Sequence, residues 1–120
     1  MKWLLVLMLL AIASLAQASD KDGRYWAQGK VSCSNYIERN KDVHDVEEVA
    51  NRAWVAGYIT AYNMLAPETY SILGNSNLES ALLWLDNYCK ANPSYDLVDG
   101  MSALVQDFHP TRALERKDSQ

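Results

Sequence analysis

Glycine and proline are scarce, at five and three in 120 residues. Collagen-like and low-complexity chains need roughly a quarter or more of such residues, so both classes are excluded. A hydrophobic content of 49% against 22% charged residues likewise excludes an intrinsically disordered chain. Cysteine is limited to Cys33 and Cys89, and histidine to His44 and His109. No C-x-x-C pair occurs and neither histidine stands at a zinc-like spacing from a cysteine, which excludes the usual structural zinc motifs. Bases are in deficit, eleven against fifteen acids for a net charge of −4, and they form no cluster. Such a chain repels phosphate backbones and anionic bilayers, so nucleic acid is excluded as a partner and a membrane surface is disfavoured. The sequence has no G-x-S-x-G, no H-E-x-x-H and no glycine-rich phosphate loop. Those gaps remove the commonest short signatures of hydrolases, zinc proteases and nucleotide enzymes.

What is present begins with the N-terminus. Met1-Lys2 makes a basic start, Trp3 to Ala13 an unbroken apolar run, and Ala16-Gln17-Ala18 the small-x-small pattern that signal peptidase reads. The run falls short of the ~20 residues of a bilayer span. Residues 1–18 therefore read as a secretory signal cleaved after Ala18, with an uncleaved anchor as the alternative. Cleavage removes one base and no acid, leaving a net charge of about −5. Nothing later is apolar for long enough to anchor the mature chain in a membrane. The remainder fits one domain. It divides into a flexible segment at 19–31, a helical domain at 32–109 and a polar tail at 110–120.

Export carries both cysteines into a compartment where thiols are oxidised, periplasmic or extracellular. They allow a single intramolecular pairing, and closing the 56-residue separation between Cys33 and Cys89 stabilises the fold by about 4 kcal/mol on a chain-entropy argument. A reactive thiol and a shared metal site are the competing readings.

The mature domain reads as all-α, a small bundle of about four helices stapled by one disulfide. Ser32 to Asn40 has Cys33, Tyr36 and Ile37 at helical spacing. Asp45, three residues before Glu48, has the spacing of a capping box, and from Val46 an apolar stripe runs through Val49, Ala50, Ala53, Trp54, Gly57, Tyr58, Ala61 and Leu65. The stripe predicts a buried face in which Gly57 presses against a neighbouring backbone, Ala53 and Ala61 extending the small-residue track. Pro67 stops this helix. Ser76 and Glu79 repeat the capping spacing ahead of Leu78, Ala81, Leu82, Leu85, Tyr88 and Cys89. Asn92-Pro93 then ends that helix and opens a fourth with Leu97, Val98, Met101, Leu104, Val105 and Phe108, which Pro110 terminates. The tail beyond it is expected to fray.

Residues that could carry chemistry are few. Asp42, His44 and Asp45 could gather round a metal, but three polar residues before a helix are ordinarily its capping segment. His109 at a helix C-terminus is accounted for by the helix dipole, and Glu79 with Asp86 reads as a solvated face before it reads as a pair of acids. No cofactor is expected, and no catalytic residue is assigned. Aromatic residues are the richer feature, seven tyrosines and four tryptophans against one phenylalanine. A contact patch could draw on Tyr25, Trp26, Tyr62 or Tyr70, while Trp54 and Tyr58 are expected in the core. The loop from Ala66 to Asn75 is unusually apolar. Tyr70, Ile72 and Leu73, with Trp26, are the candidate binding residues, the alternative being that Ile72 and Leu73 plug the core.

The signal peptide, Cys33 in a short helix, the W-V-A-G-Y-I-T-A-Y-N run at 54–63 and W-L-D-N-Y-C-K-A-N-P at 84–93 together resemble small bacterial periplasmic proteins of the HdeA/HdeB-like group. The group shades into Tai-type immunity proteins, which act against cell-wall amidase effectors. The resemblance spans Cys33 to Phe108 and implies an all-helical monomer or homodimer of the periplasm that binds protein. Its partners would be unfolded clients of a stress chaperone or, alternatively, an effector enzyme neutralised by an immunity protein. A small hydrolase ranks below both.

Overall fold

The structure, a computed structural model, describes residues 26–27, 30–39 and 46–116. Four α-helices order the described chain: α1 (Cys33–Arg39), α2 (Val46–Leu65), α3 (Leu78–Ala91) and α4 (Leu97–Phe108), followed by a 3₁₀ turn at His109–Thr111. The expected all-α bundle with its disulfide, Cys33 to Cys89, is the observed one.

The core forms where α1, α3 and α4 meet. In α3, Ala81, Leu85 and Cys89 recur at four-residue spacing and are buried, facing Leu97, Met101, Leu104 and Val105 of α4. Cys33 and Tyr36 of α1 and Ile72 of the α2–α3 loop complete it, each fully inaccessible. Gly100 is the close-approach point of α3 and α4: a β-carbon there would lie 2.6 Å from Leu85 Cδ1 and 3.3 Å from Tyr88 Cδ1.

Helix starts differ from the sequence expectation by a residue or more. The cap of α3 is Asn77, whose Oδ1 accepts from the Ser80 amide at 3.0 Å; Ser76 and Glu79 form no capping box. Glu79 is drawn instead into an ion pair with Arg52 of α2. Pro93 does not open α4 either. It lies in a turn after Asn92, and Asp96 caps the helix by accepting from the amides of Val98 and Asp99, while the Asp99 carboxylate accepts from the Asp96 amide. Asp45 and the expected cap of α2 lie outside the described residues.

The tail is tied down as far as 113. Ala113 exchanges backbone hydrogen bonds with Ser71, and its carbonyl also accepts from Tyr70. Gly74, at φ +58°, lets the loop run against the Thr111 carbonyl, where a side chain would collide.

The largest correction concerns α2. Its buried residues are Asn51, Val55 and Ile59, with Trp54, Tyr58 and Tyr62 half-buried beside them. Val49, Ala50, Ala53, Gly57, Ala61 and Leu65, the greater part of the expected buried stripe, are exposed, and nothing lies within 4 Å of a β-carbon placed on Gly57. Burial scales with apolar area removed from water, so Val55 and Ile59 go inward together with Trp54 and Tyr58 of the expected stripe, and its small residues, with Val49 and Leu65, stay outside.

Replacing both cysteines with alanine is expected to lower unfolding free energy by about 2–5 kcal/mol in a denaturant titration. Gly100→Leu should cost about 1–3 kcal/mol by overpacking. Gly57→Leu should not destabilise the dilute protein, because a side chain there meets open space.

Candidate functional site

Helix α2 carries three charged residues in twenty: Glu47, Glu48 and Arg52. At 100° per residue, Glu48 and Arg52 fall on the bundle side and Glu47 on its margin. Glu47 pairs with Arg39 of α1, and Arg52 pairs with Glu79 of α3, one of the two contacts spanning 3.1 Å from Nη1 to Oε2. Two of the three charges of α2 thus reach its neighbours, along the exposed edges of the bundle.

Outward lies an uncharged surface five turns long. Val46 is 80% exposed, Met64 78% and Leu65 83%, with Val49 more than half exposed beside Ala50, Ala53, Gly57 and Ala61. Thr60 is the one hydroxyl among them, and it donates back to the Ala56 carbonyl at 2.8 Å. At the C-terminal end the surface runs into a groove of about 470 Å³ lined by Tyr58, Ala61, Tyr62, Leu65, Ala66 and Pro67. Single exposed apolar residues are normal on any protein; here they share one face of one helix. Among the described residues, no helix is long and apolar enough to cross a membrane.

The sequence-predicted candidates are not gathered at one place. Ile72 is fully buried, its amide donating to Asn63 Oδ1 at 2.7 Å, and Leu73 packs partly buried against the core; both serve the fold. Tyr70 is half exposed and lines a shallow hollow with Gly74, Ala113 and Glu115. Trp26 is 81% exposed and lines a different hollow, of about 360 Å³, beside Lys30, Asp96 and Asp99. Asp42, His44 and Asp45 lie outside the described residues, as does Tyr25, and among those described no three His, Cys, Asp or Glu side chains gather in a way that could hold a metal ion. His109 is exposed beside Arg112 at the end of α4.

Much of the remaining aromatic content serves the α3–α4 seam. Trp84 stacks on Tyr88 at 5.5 Å, meets Phe108 edge-on at 6.5 Å and donates from Nε1 to Asp107 at 2.9 Å. Tyr88 in turn stacks on Tyr95 at 6.4 Å, and burial, reinforced by the nearby Asp99, pushes its phenol up.

Two carboxylates are held below their ordinary range. The hydrogen bond from Arg52 lowers Glu79 against the opposing effect of desolvation. Desolvation works to raise Asp96 too, but the Asp99 amide, the Lys30 ammonium at 3.0 Å and the Val98 amide together bring it below its unfolded value of 3.8. A carboxylate depressed on folding contributes stability above its unfolded pKa and loses it as pH falls through the folded one. Stability should therefore fall on acidification below about pH 4. Asp96→Asn keeps a competent cap and removes the titrating group. Thermal melts across that range should show a shallower acid limb for this variant than for wild type. No protein-family model matches the chain, and no curated protein or solved structure does either.

Proposed function

We propose that this is a non-enzymatic protein-binding protein of the bacterial periplasm, of HdeA/HdeB-like type, and that the outward face of α2 is its contact surface. The observation that supports the reading is the uncharged apolar face from Val46 to Leu65 with the groove at its end. Such a face suits exposed apolar segments of other proteins, the feature that unfolded clients share. The disulfide is in keeping with an oxidising compartment.

A stress-chaperone role is favoured by the way α2 is fastened. The Arg39–Glu47 and Arg52–Glu79 pairs tie it to α1 and α3. Protonating Glu79, whose pKa the Arg52 hydrogen bond lowers, removes the attraction of that pair in acid and leaves α2 held mainly by Val55 and Ile59. The helix then loosens and offers a second apolar face to a client. The alternative, an immunity protein, draws on the α2–α3 loop. There the Ser71–Ala113 pairing pins the backbone beneath a half-exposed Tyr70, and a rigid aromatic projection suits an enzyme's cleft.

Ala53→Glu places a charge in the middle of the α2 face at an exposed position, so the fold should be retained. In an aggregation assay with an acid-unfolded client protein, the variant should protect poorly while its circular dichroism and melting match wild type. Undiminished protection would remove this face from the function. If Tyr70→Ala instead abolished capture of a single effector enzyme and left client protection intact, the immunity reading would replace the chaperone one.

A further inference from the structure

Sulfur is the most readily oxidised element in a folded protein, and this fold sorts its sulfurs by access. Cys33 and Cys89 are bonded to each other, so neither offers a thiol. Four methionines are present, of which Met1 and Met8 lie in the segment read as a cleaved signal. Of the two in the described helices, Met101 is wholly inaccessible in the core, whereas Met64 is 78% exposed on α2. Susceptibility of a thioether follows its exposure, so an oxidant in solution meets the sulfur of Met64 long before that of Met101. Met64 stands seven residues from Gly57, two turns along the helix on the same outward side, and three from Ala61, which lines the groove. We propose that Met64 is an oxidation site for peroxide-class oxidants, and that its conversion to the sulfoxide switches off the contact face of α2.

The chemistry is a two-electron oxygen transfer. A lone pair of the Met64 sulfur attacks one oxygen of hydrogen peroxide. The S–O bond forms as the O–O bond breaks, and the departing hydroxide takes the proton of the transferred hydroxyl and leaves as water. Sulfur is oxidised to the sulfoxide and the peroxide is reduced. A flexible apolar side chain thereby gains a strong hydrogen-bond acceptor. The position of Met64 decides what this does. Its side chain is already in water, so the fold tolerates the product. A partner lying on the face does not, because it buries the new oxygen, and the one hydroxyl on the face, that of Thr60, already donates to the Ala56 carbonyl at 2.8 Å. Oxidation of Met101 would have the opposite effect, placing a polar group in the core and unfolding the protein, but its burial keeps the oxidant out. The face is therefore altered while the bundle beneath it is spared.

The proposal rests on the reading of this face as a contact surface and adds its regulation. The exported protein is treated with hydrogen peroxide, the peroxide is destroyed with catalase, and the acid-unfolded client is added only afterwards. Peptide mass mapping should place one added oxygen at Met64, with Met101 oxidised only when denaturant is present. The oxidised protein should keep the circular dichroism and melting temperature of the untreated one, yet about tenfold more of it should be needed for equal client protection, the effect of one buried polar group left unpaired. Met64→Leu should protect equally before and after peroxide, and Met64→Gln, a polar side chain of similar length, should protect poorly without it. Equal oxidation rates for Met64 and Met101 in the folded protein overturn the proposal. So does a loss of protection that Met64→Leu fails to prevent. Full protection by protein oxidised at Met64 also overturns it; the contact-surface reading then stands if Ala53→Glu still abolishes protection, and falls as well if it does not.

Discussion

The bond between Cys33 and Cys89 is the point on which the arrangement of the other elements depends. It holds the first residue of α1 against the last turn of α3, fully buried, and the hydrogen bonds around it follow from that placement. Cys33 donates its amide to Tyr95, Ser34 donates its hydroxyl to Pro93, and Leu97 donates back to Val31. The segment before α1 is thereby laid along the start of α4, where Lys30 reaches Asp96, the residue that also caps that helix. One carboxylate thus serves a helix terminus and an ion pair together. A single covalent constraint stands in for the larger core that a chain of this size cannot build.

Helix α2 depends on the link only indirectly, and its attachment is of a different kind. Val55 and Ile59 supply its buried aliphatic contacts, Asn63 fastens its far end to the Ile72 amide, and two ion pairs hold its near half. Exposed ion pairs contribute little in neutral solution, because water and salt screen them. Their contribution here lies more in direction than in strength. They turn the charged edge of α2 toward the bundle, which leaves the opposite face to the solvent or to a partner.

The number and type of the helices were legible in the sequence because apolar spacing and helix stops act locally: Pro67 after α2, Asn92 after α3, the 81-85-89 repeat in α3. The disulfide was legible because two cysteines admit one pairing. Helix starts were less so, since Ser76 and Asn77 are both competent caps for α3, as Asn92 and Asp96 are for α4, and only the surrounding packing selects between them. The face of α2 was misread for a deeper reason. Apolar residues lie on both sides of that helix, and periodicity marks a stripe as apolar without saying which body covers it. The distinguishing signal was present in Glu48 and Arg52. On an ordinary surface helix charged residues mark the solvent side, but here they stand opposite Gly57, and Arg52 is received by Glu79 of α3 with Glu48 lining the same hollow. A charged edge with a charged neighbour can face inward, and the neighbour is not visible from the helix alone. Ile72 and Leu73 were ambiguous in the same way: an apolar loop reads alike as plug or contact until the core beneath it is placed.

An apolar face left on a small acidic protein carries a cost, because it invites indiscriminate association. Two features of this chain limit that cost. The central positions are alanine and glycine, which expose little apolar area apiece, and the bulky residues are confined to the ends of the helix, at Val46, Val49, Met64 and Leu65. A partner that covers only one end gains little, whereas one that lies along the whole helix gains both ends and the close backbone approach between them. The face therefore discriminates by length and straightness as much as by hydrophobicity. On the proposed reading, a client would meet this face best with an apolar segment long enough to span both of its ends.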